Sequence, residues 1–172
     1  GRRPILAGVH FEISKGALTA VALDGCRIAH ASIPVQATGS EAVTVDAKQL
    51  TGAITHLSGT VALDILPASV RLTDDTATVL TQKLAGEYTD WRKFIPQTTT
   101  LASVDRGALL DSVNRMMILR GTGALRIVLR AADGELLVEA DVETGHLSAP
   151  REVGTHGPET EMGFNASYLK RA

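Results

Sequence analysis

Two periods run through this chain of 172 residues, and they agree. A short stretch that opens on Asp or Asn and closes on Leu occurs at 46–50 (DAKQL), 105–109 (DRGAL) and 165–169 (NASYL), with spacings of 59 (46 to 105) and 60 (105 to 165). Residues 9–16, VHFEISKG, match residues 127–134, IVLRAADG, at an offset of 118, and GAL at 16–18 continues onto GEL at 134–136. With one further residue inserted, EAVTVDAKQL at 41–50 falls on TEMGFNASYL at 160–169. Because 118 is twice 59, two half-units make one whole unit. A period of this size marks a supersecondary block that is copied along the chain, with each copy burying its apolar face against its neighbours.

The content of the block follows from local patterning. Alternating or β-branched runs predict strands at Val9–Ile13, Leu18–Leu23, Ala42–Val45, Val61–Ile65, Val70–Thr73, Thr76–Leu84, Leu125–Arg130 and Leu136–Asp141. Turn residues at Ser14-Lys15-Gly16, Asp74-Asp75 and Asp133-Gly134 join them as hairpins of antiparallel sheets with one wet face. A helical period covers Ala47 to about Ser58, with Leu50, Ile54 and Leu57 inward, Asp46 as N-cap and Gly59 as stop. A second covers Arg106 to about Leu119, with Leu109, Leu110, Val113, Met117 and Ile118 inward, Asp105 as N-cap and Gly121 after its end. Asn165 caps a third, which has barely begun when the sequence stops. The block is a strand, an Asx cap, a helix and several strands. Residues 4–45 lack the helix that should precede them, and Asn165 lacks the strands that should follow. The expectation is a piece of a longer protein, or missing parts supplied by another chain, since an open sheet edge invites aggregation.

Charge and cysteine usage exclude few classes. Seventeen basic and nineteen acidic residues give a net charge of −2, which neither points to a polyanion partner nor rules out a basic face. No apolar run approaches the roughly 20 residues that span a bilayer, and the first residues, GRRPILAGVHFEI, lack the pattern of a signal peptide. A lone Cys26 precludes an internal disulfide and fits a reducing cytoplasm; it reads as a small semi-buried residue rather than a nucleophile.

Four segments carry a resemblance to a known family. RPILAGVHFEI at 3–13 resembles the strand after the first helix of the middle domain of the bacterial DNA sliding clamps, the beta subunit of DNA polymerase III. VALDGCRIA at 21–29 resembles the A-T-D-G-H-R-L-A signature of that family. LAGEYTDWRKFIP at 84–96 is similar to the segment that closes the middle domain, and ETEMGFNASYL at 159–169 to one in the last domain. The motifs follow family order, and the resemblance covers essentially the whole chain. It implies an α+β DNA-clamp fold of repeated βαβββ half-units, with antiparallel sheets outside and helices on the inner, DNA-facing side. It places residues 1–97 in the middle domain, lacking its first helix, and 98–172 in the first part of the third.

The resemblance also implies function. A clamp encircles duplex DNA, binds it weakly and without sequence preference, and performs no chemistry. Contacts to phosphate would come from Arg2, Arg3, Lys48, Arg106 and Arg115, with His56 near the same face; otherwise these are ordinary solvated positions. A peptide-binding pocket between the middle and last domains would draw on Arg3, Leu23, Gly25, Arg27, Ile28, Thr89, Trp91, Lys93 and Phe94. Leu23, Ile28 and Phe94 would give an apolar floor, Gly25 close backbone approach, and Arg27 a polar pairing group. Gly25 also reads as a turn residue, and Trp91 as core. The chain departs from the family pattern at Leu23, Cys26, Thr89 and Trp91, where Thr, His, Pro and Tyr are usual. Implied partners are double-stranded DNA, DNA polymerase III, proteins with clamp-binding motifs, the clamp loader, and further copies closing a ring; no cofactor and no membrane are implied. An alternative is a clamp-derived module that binds such peptides without encircling DNA.

Enzyme readings find little footing. The five His residues have no metal-ligand spacing, Gly121-Thr122-Gly123 lacks the Lys-Ser/Thr of a phosphate loop, Asp74-Asp75 is a turn, and no Ser/His/Asp set is brought together.

Overall fold

Both predicted hairpins at the 118-residue offset turn on the same two-residue geometry. The computed structural model, which describes residues 4–118, 123–142 and 145–171, gives positive φ at Lys15 (52°) and Gly16 (77°), and at Asp133 (49°) and Gly134 (82°). Two successive positive φ values define the turn whose twist matches a hairpin, and glycine takes the second at no steric cost. The resulting strands are β1 (Gly8–Ser14) with β2 (Ala17–Leu23), and β9 (Arg126–Ala132) with β10 (Glu135–Val142). Each hairpin continues into a third strand, β3 (Ile28–Pro34) or β11 (Gly145–Glu152). Just beyond those strands the backbone returns to the turn in the same way: Val35 N–H donates to the Gly16 carbonyl at 2.8 Å, and Val153 N–H to Gly134 at 2.9 Å.

The match extends through both sheets. One has the order β3-β2-β1-β4, with β4 at Glu41–Asp46; the other has β11-β10-β9-β13, with β13 at Thr160–Asn165. Phe11 pairs with Ala20 and Val43, while Leu129 pairs with Val138 and Met162. Those pairs differ by 118, or by 119 past the inserted residue. A one-residue slip would move every core side chain to the wet face, so equal register over four strands is a demanding coincidence test, and the repeat passes it.

The chain divides into two compact units, Gly1–Ile95 and Pro96–Ala172, two residues before the boundary expected at 97/98. In the first, β4 leads into α1 (Ala47–Ile54), followed by the three-stranded sheet β5 (Ala62–Ile65), β6 (Ser69–Thr73), β7 (Thr78–Gln82). Its core gathers Phe11, Val43, Val45, Ala53, Val70 and Leu72, with Leu50 and Leu57 packed against them. In the second, β8 (Leu101–Ser103) leads into α2 (Arg106–Ile118), and β13 into α3 (Ala166–Leu169); β8 pairs with β12 (Gly154–His156). There Val113, Met116, Ile127, Val138 and Ala166 form the centre. All three Asx caps are made: Asp46 accepts from Gln49 N–H, Asp105 from Ala108 N–H and Asn165 from Ser167 N–H, each at 2.8–2.9 Å.

Several expectations are corrected. The first helix stops at Ile54 rather than Ser58. Past the C-cap Thr55, the His56 and Leu57 amides bond three residues back, to Ala53 and Ile54, and the Ser58 N–H is taken by the Asp74 carboxylate at 2.6 Å. Gly59, at φ 61°, therefore lies in the following turn and is not the cap. Ile54 and Ile118 point outward, 53% and 79% exposed, and Ala53 and Met116 take the inward places. The strand expected over Thr76–Leu84 is shorter because Asp74 also captures the N–H groups of Thr76 and Ala77, both at 2.7 Å. At its other end Lys83 and Leu84 donate to Ala68 and Thr44. Strands β3, β8, β11 and β12 carry too little apolar alternation to be foreseen; β3 and β11 are sheet edges and tolerate Pro34 and Pro150. Leu119, Gly121 and Thr122 lie outside the described residues.

Candidate functional site

The segment expected to line a pocket begins where β2 gives way to β3. Leu23 and Ile28 are cross-strand partners, both half-buried, and the four residues between them form a tight polar turn. Asp24 Oδ1 accepts from the Cys26 and Arg27 amides at 3.1 and 2.9 Å, and its Oδ2 accepts from Arg27 Nε at 2.8 Å and from Arg27 Nη2. The Arg27 guanidinium and then the Cys26 amide hold the Asp24 carboxyl below the usual range. Gly25 takes φ 86°, and a Cβ added there would meet nothing within 4 Å, so its conformation serves the turn while leaving open space above it. Arg27 is thus already engaged within the turn, which holds its guanidinium in place.

A strap, residues 84–94, supplies the rest. Leu84 N–H donates to the Thr44 carbonyl of β4 at 2.8 Å. Tyr88 then stacks on His10 of β1, ring centroids 4.5 Å apart and planes within 1°. His10 Nδ1 lies 2.8 Å from Thr44 Oγ1, which fixes the ring beneath the tyrosine. The Tyr88 hydroxyl is buried beside the Leu23 backbone, and this burial raises its phenol. Trp91, only 7% exposed, donates through Nε1 to Glu12 Oε1 at 3.1 Å and lies 5.1 Å from the His30 ring on β3. The Arg92 guanidinium sits 4.5 Å over the indole ring and forks onto both Glu12 oxygens. Burial depresses His10, with Glu12 opposing and Arg92 adding to the effect, while Arg92 in turn depresses Glu12.

The site residues expected from sequence fall into three groups. Leu23, Gly25, Arg27 and Ile28 share the β2–β3 end, and Thr89 is a half-buried strap residue that follows Tyr88. Trp91 is a buried anchor, as its reading as core requires, and not an exposed contact. Lys93 is exposed, 3.6 Å from Asp90, and Phe94 and Ile95 are apolar and 58% and 47% exposed. Of the cationic set, Lys48 is exposed on α1 of the first unit, and Arg106 and Arg115 on α2 of the second. His56 is exposed just past α1, and Arg2 and Arg3 lie outside the described residues. Sequence reasoning missed His10, Glu12, Tyr88 and Arg92. Their one signal was a polar pair, His10 and Glu12, alternating with the inward Val9, Phe11 and Ile13 on β1. Such a pair reads as an ordinary wet face until a partner is known.

The arrangement suits binding rather than bond making. An apolar edge, an open turn and exposed Phe94 and Ile95 offer surface to an apolar ligand, and the charged groups are engaged with one another. Among the described residues no group of three or more His, Cys, Asp or Glu could hold a metal ion, and no helix is long and apolar enough to cross a membrane.

Comparison with known proteins adds lineage to this geometry. The sequence profile described as "DNA polymerase III beta subunit, central domain" matches residues 1–90. The beta sliding clamp of Pseudomonas putida is 29% identical over 174 residues, covering 97% of this chain and 47% of the relative. That of Caulobacter vibrioides is 28% identical over 159 residues, covering 88% and 43%. The chain thus spans about half the length of the curated relatives it matches. Among solved structures, the DNA polymerase III subunit beta of Pseudomonas aeruginosa superimposes with a TM-score of 0.85 at 26% identity, over 99% of this chain and 49% of that one. A sliding clamp from the same organism, solved bound to griselimycin, gives 0.85 at 27% identity over 97% and 47%. The beta subunit of Thermotoga maritima gives 0.86 at 20% identity over 98% and 47%, a likeness of fold.

Proposed function

The chain belongs to the DNA polymerase III beta-subunit family and has its fold, and from that premise we propose that it is part of a sliding clamp. In this role it joins a ring that encloses duplex DNA, performs no chemistry, and tethers DNA polymerase III and other replication and repair proteins through a peptide-binding pocket. The first unit is then most of the middle clamp domain and the second the first part of the third. The ring would be completed by further domains and a second copy, assembled by a clamp loader in the cytoplasm.

The observation that carries this reading is the duplication. Two units share hairpin turns, strand order and register at one offset, and a ring of similar domains is built by such copying. Support for the pocket is the Leu23–Ile28 edge with its open turn and the strap beside it, using Arg3, Leu23, Gly25, Arg27, Ile28, Thr89, Lys93 and Phe94 toward the ligand and Trp91 as anchor. Griselimycin, bound by the Pseudomonas aeruginosa clamp, is the natural probe. DNA contact would rest on Arg2, Arg3, Lys48, Arg106 and Arg115. So small a cationic set gives weak affinity that falls as salt rises.

The test uses the full-length protein loaded onto nicked circular plasmid by its clamp loader. Retention on the circle, lost on linearisation, is expected, together with griselimycin binding. Equal retention on both forms sinks the ring. Griselimycin binding with no topological retention supports instead a clamp-derived interaction module.

A further inference from the structure

We infer that Glu12 is the positioning residue of the peptide-docking face, holding the strap so that Lys93, Phe94 and Ile95 are presented to a ligand. This rests on the docking role proposed above. Glu12 lies on β1, and one carboxylate serves two consecutive strap residues. Its Oε1 accepts from Trp91 Nε1 and Arg92 Nη1, each at 3.1 Å, and its Oε2 accepts from Arg92 Nη2. An indole N–H can only donate, and a buried one without an acceptor is costly, so Trp91 depends on this oxygen. The forked pairing with Arg92 adds direction, because a guanidinium meets a carboxylate in one plane. That plane lies over the indole ring, so the carboxylate sets the pose of both strap side chains together.

Two further observations separate positioning from ordinary surface charge. Upstream, the strap has its own fastenings at Leu84 and Tyr88, whereas beyond Arg92 Lys93 and Ile95 bond locally, to Asp90 and Arg92. The pose of the exposed Phe94 therefore follows from the Glu12 anchor. The second unit supplies an internal control. The position equivalent to Glu12 is Arg130, which pairs instead with Glu139 and Glu161 of its neighbouring strands. The same sheet thus accepts the opposite charge at that place, and the carboxylate in β1 answers to the strap rather than to the sheet.

The experiment compares the intact protein with Glu12→Ala, Glu12→Gln and Arg92→Met, using griselimycin as ligand and the Trp91 indole N–H resonance as reporter. Glu12→Ala is expected to weaken griselimycin about tenfold, the scale of lost hydrogen bonds to a charged group, and to shift the indole signal. Glu12→Gln keeps an acceptor for Trp91 and should recover most of the indole position and part of the affinity. Arg92→Met should add little in the Glu12→Ala background. Affinity within twofold of wild type together with an unmoved indole signal in Glu12→Ala overturns the inference. Should that variant fail to fold, Glu12→Gln and Arg92→Met decide, and wild-type values in both overturn it equally. If the unmodified protein does not bind griselimycin, the docking proposal fails. Hydrogen exchange across residues 91–95 and the indole shift then still settle whether Glu12 positions the strap.

Discussion

Replacing Gly8 by Ala should destabilise the first unit because the strap passes directly over that glycine. A Cβ built there would lie 2.6 Å from Thr44 Cγ2, 2.6 Å from the Val45 carbonyl oxygen and 2.8 Å from Leu84 Cδ1. Two of the three yield least: the Val45 oxygen belongs to the β1–β4 ladder and Thr44 is held by His10, whereas the end of the Leu84 side chain can shift only by repacking. Overpacking at such a place costs about 1–3 kcal/mol, and the loss of unfolded-chain freedom on adding a Cβ offsets about 0.4–1 kcal/mol. A net loss of about 1–2 kcal/mol is expected, lowering the urea midpoint by about 0.5–1 M for a slope of about 2 kcal/mol/M. Trp91 is the single tryptophan of this sequence and lies in the first unit, so its fluorescence follows that unit. Adding Leu84→Ala should remove part of the clash, leaving the double variant less destabilised than the sum of the singles. A midpoint for Gly8→Ala at or above wild type, or strict additivity with Leu84→Ala, would show that the strap does not set the space above β1.

The remaining expectations concern the cap and the titrating histidine. Asp46→Ala removes the acceptor for the Gln49 amide and should cost about 1 kcal/mol, with faster hydrogen exchange at Gln49 as the local reading. Wild-type exchange there would mean that the cap contributes nothing. His10 is held below its ordinary value of 6.5 by burial, with Arg92 adding to this and Glu12 opposing it, beneath the Tyr88 ring. The unfolded chain therefore takes up the proton first as pH falls. The stability tied to a neutral His10 is complete above pH 6.5 and is lost as pH drops from there toward the folded value. Urea midpoints read by Trp91 at pH 7.5 and 5.5 should converge in His10→Phe relative to wild type; an unchanged gap would assign the acid sensitivity to other groups.

Much of this fold was legible before any coordinates, and the reasons are specific. The Asx caps at 46, 105 and 165 are local devices, since each side chain bonds an amide two or three residues along. The turns at Lys15-Gly16 and Asp133-Gly134 are local too. What escaped depends on distant partners. The first helix ends early because Asp74, 16 residues beyond, takes the Ser58 amide. Strand β3 supplies no residue to its core cluster, and β11 supplies only Leu147 and Ala149, so neither shows a strong apolar alternation. Ile54 and Ile118 continue a helical period yet face outward, because Ala53 and Met116 already fill the core.

The candidate site was legible at its apolar edge and illegible in its scaffold, and the repeat itself explains where to look. Positions 9, 11 and 13 of β1 and 127, 129 and 131 of β9 are apolar in both units, because both sheets need an inner face. The alternate positions are Gly8, His10 and Glu12 in one unit and Arg126, Val128 and Arg130 in the other. These contact nothing their own strand requires, so they were free to diverge. In the first unit they met the strap: Gly8 makes room for Leu84, His10 takes the Tyr88 ring, and Glu12 takes Trp91 and Arg92. Agreement between copies therefore reports the fold, and disagreement on a shared wet face reports what one copy does that the other does not. A histidine or glutamate on such a face carries no message alone; set against its counterpart 118 residues along, it marks where a second element docks.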